Sequence, residues 1–271
     1  MPTTVMNARM YAVTPAVEAA WQALLEQIAA DARVRLRYVP YPAPQPLEVL
    51  WCRTDLGCAF MCGYPIAFGL APVVPIAAPI LRDGWVPGRP AYRTDLIVRR
   101  DSPYRTLEDT FGGRAGWTLE HSHSGFNAFR HHLLAYRTKA RPTLYGEVVG
   151  NLVTARNVLD SVVAGRIDIG PLDAYWHRLI ARHAPELTAG IRVIASTAPV
   201  PMPALVAGAM LPADAVARLK AAFVAAASRP WFAALAEPLL LEGFAAVTRE
   251  DYAVTLEWDA EAKAAGYPFP A

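Results

Sequence analysis

Apolar residues recur along the chain at two spacings, and the spacing sets the element type. After Thr14-Pro15, a threonine N-cap followed by proline at the first helical position, Val17, Ala20, Trp21, Leu24, Leu25 and Ile28 fall at i, i+3, i+4 and i+7. That is one apolar stripe, predicting a helix laid on a sheet. Short apolar runs at 8–13, 34–38 and 56–61 predict strands, the last ending in a turn at Cys62-Gly63-Tyr64-Pro65. A short helix is predicted over 47–53. The apolar stretch 69–81 is interrupted by Pro72, Pro75 and Pro79 and reads as strand and turn.

A second unit begins where the strand 96–99 runs into Asp101-Ser102-Pro103. Thr106 to Asp109 forms a variant capping box, and Gly112-Gly113 stops the short helix it opens. Strands follow at 115–118, 145–149 and 167–170, with helices at 126–136, 154–164 and 174–183. A strand over 191–196 then enters the proline-rich run 198–203. The rest reads as largely helical, at 213–227, 231–237 and after Thr248. The chain thus leaves one unit near Arg99 and returns near Pro199. Two lobes follow, residues 1–99 with 199–271 and residues 100–198, joined by a two-strand hinge. Each is expected to be a mixed sheet flanked by helices, with a ligand held in the cleft where strand ends and helix N-termini face.

At 271 residues, 54% hydrophobic and 18% charged, the chain has enough apolar material for two cores. A net charge of +2 with no basic stripe excludes a nucleic-acid partner and mildly favours an acidic ligand. No segment approaches the roughly 20 apolar residues of a membrane span, so no membrane insertion is expected. The N-terminus shows no basic segment leading into an apolar core, so no secretory leader is read: either one was removed or the protein acts where it is made. Cys52, Cys58 and Cys62 have no CxxC spacing and no nearby histidine, which predicts buried thiols rather than zinc ligands.

The chemistry concentrates in Trp117-Thr118-Leu119-Glu120-His121-Ser122-His123-Ser124-Gly125-Phe126-Asn127. Here a predicted strand ends, and hydroxyls and a glycine open a helix. Such a turn presents free backbone N–H groups and the positive end of the helix dipole, a site for phosphate, phosphonate or carboxylate. An ordinary N-cap by Ser122 or Ser124 is the plainer alternative. His121 and His123 lack a third metal ligand nearby, and one of them could carry charge near neutral pH and strengthen anion binding. His131, His132, His177 and His183 read as solvated. The Gly-x-Ser-x-Gly elbow lacks its first glycine, and no Walker loop, dinucleotide fingerprint or zinc signature is present, so no enzyme and no cofactor are expected, although a triad of Ser124, a histidine and Asp173 stays open.

Four segments resemble a known family: Met10-Tyr11, Cys62-Gly63-Tyr64-Pro65, Ser122-His123-Ser124-Gly125-Phe126-Asn127, and Ala164-Gly165-Arg166-Ile167-Asp168 leading to Asp173. They look like the substrate-binding components of phosphate/phosphite/phosphonate ABC transporters, of the periplasmic binding protein type II class. The resemblance implies an α/β, two-lobed fold in which Ser122, His123, Ser124 and Gly125 cradle an anion, with Asn127 in the same loop. Tyr11, Gly63 and Tyr64 would contact the anion from the other lobe, Asp173 would accept a hydrogen bond from it, and Tyr175 would line the pocket. Thr154 keeps one hydroxyl where relatives carry a glycine-serine-histidine run. That departure, with Trp117 and Phe126, leaves a larger carboxylate open beside a phosphonate. The resemblance further implies a monomer, an ABC permease as partner and a periplasmic location. The rival reading is a cytoplasmic sensor or a biosynthetic enzyme on the same scaffold, as in thiamine-precursor handling.

Overall fold

A computed structural model describes residues 4–271. The chain divides into two compact units, one taking residues up to Ala91 with Pro201–Ala253, the other Tyr92–Val200 with Val254–Ala271. It therefore passes between them at 91/92, 200/201 and 253/254. The last passage places residues 254–271 with the second unit, whereas the sequence pattern assigns them to the first.

The first unit is built on a six-stranded sheet in the order Leu241–Ala246, Val73–Leu81, Ala204–Gly208, Leu56–Met61, Thr4–Asn7, Leu36–Tyr38. Thr4–Asn7 runs parallel to both of its neighbours, while the remaining pairs are antiparallel. Helix Pro15–Ala32 buries Val17, Trp21, Leu24, Leu25 and Ile28, the stripe predicted from spacing. Thr14 caps it by accepting from the Val17 amide at 3.2 Å. Trp21 meets Phe60 of the strand Leu56–Met61 edge-on, centroids 4.9 Å apart.

The first strand lies at Thr4–Asn7, and the expected strand at 8–13 contains instead a 3₁₀ turn, Arg9–Tyr11. Two strands, Ala204–Gly208 and Leu241–Ala246, occupy a region read as helical. Their alanine- and leucine-rich sequences fit either period over such short lengths. The proline-interrupted stretch is a nine-residue strand, Val73–Leu81, in the sheet interior. Pro75 sits opposite Val206, where the pairing register shifts, so the missing N–H falls at an irregularity of the ladder. Cys58 and Cys62 are buried, and burial pushes the Cys58 thiol up to about 12; Cys52, expected buried, is exposed.

The second unit has a three-stranded antiparallel sheet, Ile191–Ser196, Thr94–Arg99, Gly170–Asp173, and a parallel pair, Arg114–Gly116 with Glu147–Val149. A parallel bridge from Ala115 to Ile169 and a 3.0 Å bond from the Gly116 amide to the Ile169 carbonyl tie the two together. The strand predicted over 167–170 is thus displaced to Gly170–Asp173. Leu96, Val98, Phe129, Leu133, Leu144, Ile169 and Tyr267 form the core. Three elements, Arg114–Gly116, Glu147–Val149 and Gly170–Asp173, point the same way, and each carboxyl end leads into a helix.

Candidate functional site

Those three helix starts share one rim of the second unit. The first is the Ser122 turn. Ser122 is the N-cap and its Oγ accepts from the Gly125 amide at 3.0 Å, a bond that does not use the hydroxyl's own proton. The expected α-helix begins instead as a π-helical turn, His123–Asn127, continuing into Ala128–Leu133. Its wide bonds run from the Asn127 amide to the Ser122 carbonyl (3.0 Å) and from the Ala128 amide to the His123 carbonyl. π turns are rare and recur at functional sites.

Thr154 caps the second helix, Ala155–Val163, accepting from the Asn157 amide at 3.1 Å. Asp173 caps the third, Ala174–His183, where Oδ1 accepts from the Tyr175 and Trp176 amides at 2.9 and 3.0 Å. Thr118 links the first two starts: its amide donates to the Gly125 carbonyl (3.1 Å), and its carbonyl accepts from the Val153 amide (3.3 Å). Thr94 adds to the rim by donating from Oγ1 to the Ser124 carbonyl at 3.3 Å, while the Thr197 hydroxyl accepts from the Thr94 amide at 3.0 Å. Sequence reasoning did not single out Thr94, Thr118 or Thr197. Threonine in a strand or just past its end carries no signal of its own, and only the fold brings these hydroxyls beside the turn.

Gly125 is required by packing. A Cβ there would stand 1.9 Å from Thr118 Oγ1 and 2.9 Å from Ser122 Oγ. Ser124 lies in the same turn and is 7% exposed.

Several expected roles change once the side chains are placed. His123 is fully buried, 5.4 Å from the Trp258 ring centroid, and burial, helped by His131, pulls its pKa down to about 3. It is a neutral imidazole, so it supplies no positive charge to an anion near neutral pH. The Asn127 amide is committed inward: Nδ2 donates to the Thr255 carbonyl (2.8 Å), and Oδ1 accepts from Arg130 Nη2 (2.9 Å). Tyr175 is wholly buried, and its hydroxyl pKa is held well above the usual value by burial and then by Asp173. Neither His131 nor His177 is a solvated surface group. His131 stacks flat on Trp258 at 4.5 Å and bonds Glu261 at 2.7 Å, while His177 Nδ1 lies 2.9 Å from buried Asp95. His132 is half-buried, and burial lowers its pKa.

In the first unit, Tyr11, Gly63 and Tyr64 lie just beyond the carboxyl ends of Thr4–Asn7 and Leu56–Met61, the corresponding rim of that sheet. The predicted turn at 62–65 is the start of a short helix, Gly63–Phe68. Gly63 is dictated by packing, since a Cβ would come 2.4 Å from the Tyr252 ring. Tyr11 is buried edge-on against Phe60, and Tyr64 packs edge-on against Phe68, both with centroids 4.9 Å apart.

Among the described residues, no group of three His, Cys, Asp or Glu side chains could hold a metal ion, and no helix is long and apolar enough to cross a membrane.

Two α/β units drawn from a discontinuous chain, with helix N-termini gathered at the carboxyl rims of the strands, define the fold of periplasmic binding proteins. Residues 12–252 match the family described as ABC transporter, phosphonate, periplasmic substrate-binding protein, and the chain belongs to it. Among solved structures, it is similar to a binding protein component of an ABC phosphonate transporter from Pseudomonas aeruginosa (14% identity, 98% of this chain and 88% of that one, TM-score 0.79). It is also similar to PhnD1 of Prochlorococcus marinus in complex with methylphosphonate (12%, 96% and 98%, TM-score 0.77). A Xanthomonas citri protein bound to ATP aligns over 98% of both chains at 18% identity and TM-score 0.66. No curated protein matches the sequence. At these identities the structural likenesses speak to fold alone. The family is one of transporter components that bind small solutes.

Proposed function

We propose that this protein is the solute receptor of an ABC uptake system, capturing a small oxyanion at the Ser122–Gly125 turn and performing no chemistry on it. The observation that supports this reading is the convergence of three capped helix starts, Ser122, Thr154 and Asp173, on one rim of the second unit. Backbone amides and hydroxyls there meet negative charge, and His123, being neutral, adds no positive charge of its own. The Ser122 and Ser124 hydroxyls donate to the oxyanion. Asp173 accepts from a protonated oxygen or amine of the ligand, which favours a ligand carrying a proton over a fully ionised one. Tyr11, Gly63 and Tyr64, at the carboxyl rim of the first unit's sheet, are further candidate contacts for the ligand. Release to a membrane permease follows, in the periplasm.

Ligands named for proteins of similar fold range from methylphosphonate to ATP. Isothermal calorimetry with methylphosphonate, inorganic phosphate, ATP and a small carboxylate therefore tests the reading. One of them is expected to bind saturably, and Ser124→Ala to weaken it by about 1.5–3 kcal/mol, the worth of a hydrogen bond to a charged group. If all four fail to bind, the oxyanion assignment is wrong.

A further inference from the structure

The wide π turn that carries the proposed anion site is held from below by the C-terminal segment of the chain. Asn127 is the last residue of that turn and has no exposed surface. Its Nδ2 donates 2.8 Å to the carbonyl of Thr255, 128 residues away, and lies 3.4 Å from His123 Nδ1 in the same turn. Its Oδ1 accepts from Arg130 Nη2, which also pairs with Asp259 Oδ1 at 2.5 Å, while Arg130 Nη1 donates to the Pro268 carbonyl at 3.1 Å. Trp258 covers the His123 ring. One amide group therefore joins the last residue of the turn, the first turn of the following helix and the helix Ala253–Ala264.

A π turn forms bonds to the fifth residue back and is wider than an α turn, so left alone it relaxes toward the tighter α pattern. We propose that Asn127 is a positioning residue for ligand binding: through the Thr255 carbonyl and Arg130 it keeps the Ser122–Asn127 turn in its wide form, with its N-terminal amides set for the oxyanion. It touches no ligand. This inference rests on the anion-site reading above for its effect on affinity, but not for its effect on the turn. An aliphatic residue at 127 could fill the volume, but it would offer neither the donor nor the acceptor.

Asn127→Ala and Asn127→Asp separate this role from general stabilisation. Asp keeps the size and the acceptor for Arg130, but it replaces the donor to Thr255 with a second acceptor oxygen and adds a negative charge. Amide hydrogen exchange of the intact, unliganded chain is expected to speed up tenfold or more over residues 122–128 in both variants. Protection in the strands Thr94–Arg99 and Ile191–Ser196 should stay within twofold of the parent. In calorimetry and stopped-flow with methylphosphonate and inorganic phosphate as probes, affinity should fall about tenfold, mainly through faster dissociation. Exchange at 122–128 equal to the parent, or speeded equally throughout the second unit, overturns the proposal. If exchange changes as expected and the parent binds neither probe, the positioning role stands and the anion reading fails. If the parent binds and the variants bind equally well despite a loosened turn, the proposed link between the turn and affinity is refuted. Should Asn127→Ala not fold, Asn127→Asp decides the outcome by the same two readings.

Discussion

Substituting Gly125 by alanine tests the geometry of the turn with a single methyl group. The added Cβ would meet Thr118 Oγ1 at 1.9 Å, Ser122 Oγ at 2.9 Å and Thr118 Cβ at 3.0 Å. Threonine is stiff at χ1, and its Cβ is itself within the crowded distance, so rotating the hydroxyl away does not clear the space. The turn must lift, stretching the bond from the Thr118 amide to the Gly125 carbonyl and the cap from Ser122 to the Gly125 amide. Overpacking of this kind costs about 1–3 kcal/mol. Among the described residues the Thr118 hydroxyl is buried without a hydrogen-bond partner, so Thr118→Ala gives up a methyl group and relieves one unsatisfied polar atom, a nearly offsetting pair. The double variant Thr118→Ala with Gly125→Ala removes the 1.9 Å contact but keeps those at 2.9 and 3.0 Å, so it should recover part of the loss, giving a coupling of about 1 kcal/mol between the two sites. Urea denaturation followed by tryptophan fluorescence supplies the cycle. Additive losses would show that Thr118 does not crowd residue 125 and that the turn geometry described above is wrong.

The remaining predictions concern other parts of the molecule. Because His123 is held neutral down to about pH 3 when folded but protonates near 6.5 when unfolded, stability is full above pH 6.5 and falls as pH drops toward 3. Between pH 7 and 5 the loss from this residue is about 2 kcal/mol. Denaturation midpoints of His123→Asn against pH should be flatter by that amount, and parallel curves would refute the buried neutral ring. Asp259 has its pKa lowered, with desolvation opposing and the Lys263 and Arg130 contacts prevailing. Its stabilisation is therefore present above the ordinary carboxylate range and lost as pH falls through the folded value. Arg130→Ala leaves that carboxylate to Lys263 alone and strips the Asn127 Oδ1 and Pro268 carbonyl acceptors of their donor, and should cost about 1–3 kcal/mol by chemical denaturation. A loss below 1 kcal/mol would mean that the pair is solvated. Gly63→Ala, 2.4 Å from the Tyr252 ring, should destabilise by about 1–3 kcal/mol in the parent and be rescued to the extent of costing clearly less in a Tyr252→Leu background, as read by thermal unfolding. Absence of rescue would remove Tyr252 as the obstacle.

Elements with a long or complete signal were legible from sequence. The stripe from Val17 to Ile28, its Thr14-Pro15 start, the strand Leu56–Met61 and the helix Ala174–His183 follow from periodicity and capping alone. Residues 204–208 and 241–246 were not, because alanine and leucine in runs of five or six fit either period, and their strand state comes from pairing with Val73–Leu81. The C-terminal helix was read as a helix but assigned to the wrong neighbour. Its attachment depends on Thr255, Trp258 and Asp259 meeting Asn127, His123 and Arg130, contacts more than 120 residues apart that no local pattern announces. Within the candidate site, the capping hydroxyls and Gly125 were visible as a motif. The split between side chains facing out and those committed inward was not, because Asn127, His123 and Tyr175 look equally suited to a ligand until burial is known.

The central claim is that the amides and hydroxyls of the Ser122–Gly125 turn hold an oxyanion. Backbone amide shifts recorded by NMR during titration with methylphosphonate, and then with inorganic phosphate, address it residue by residue. Saturable changes are expected, largest at residues 122–126 and near Thr154, and abolished by Ser122→Ala with Ser124→Ala. Saturable binding that leaves those amides unmoved while shifting others would contradict it.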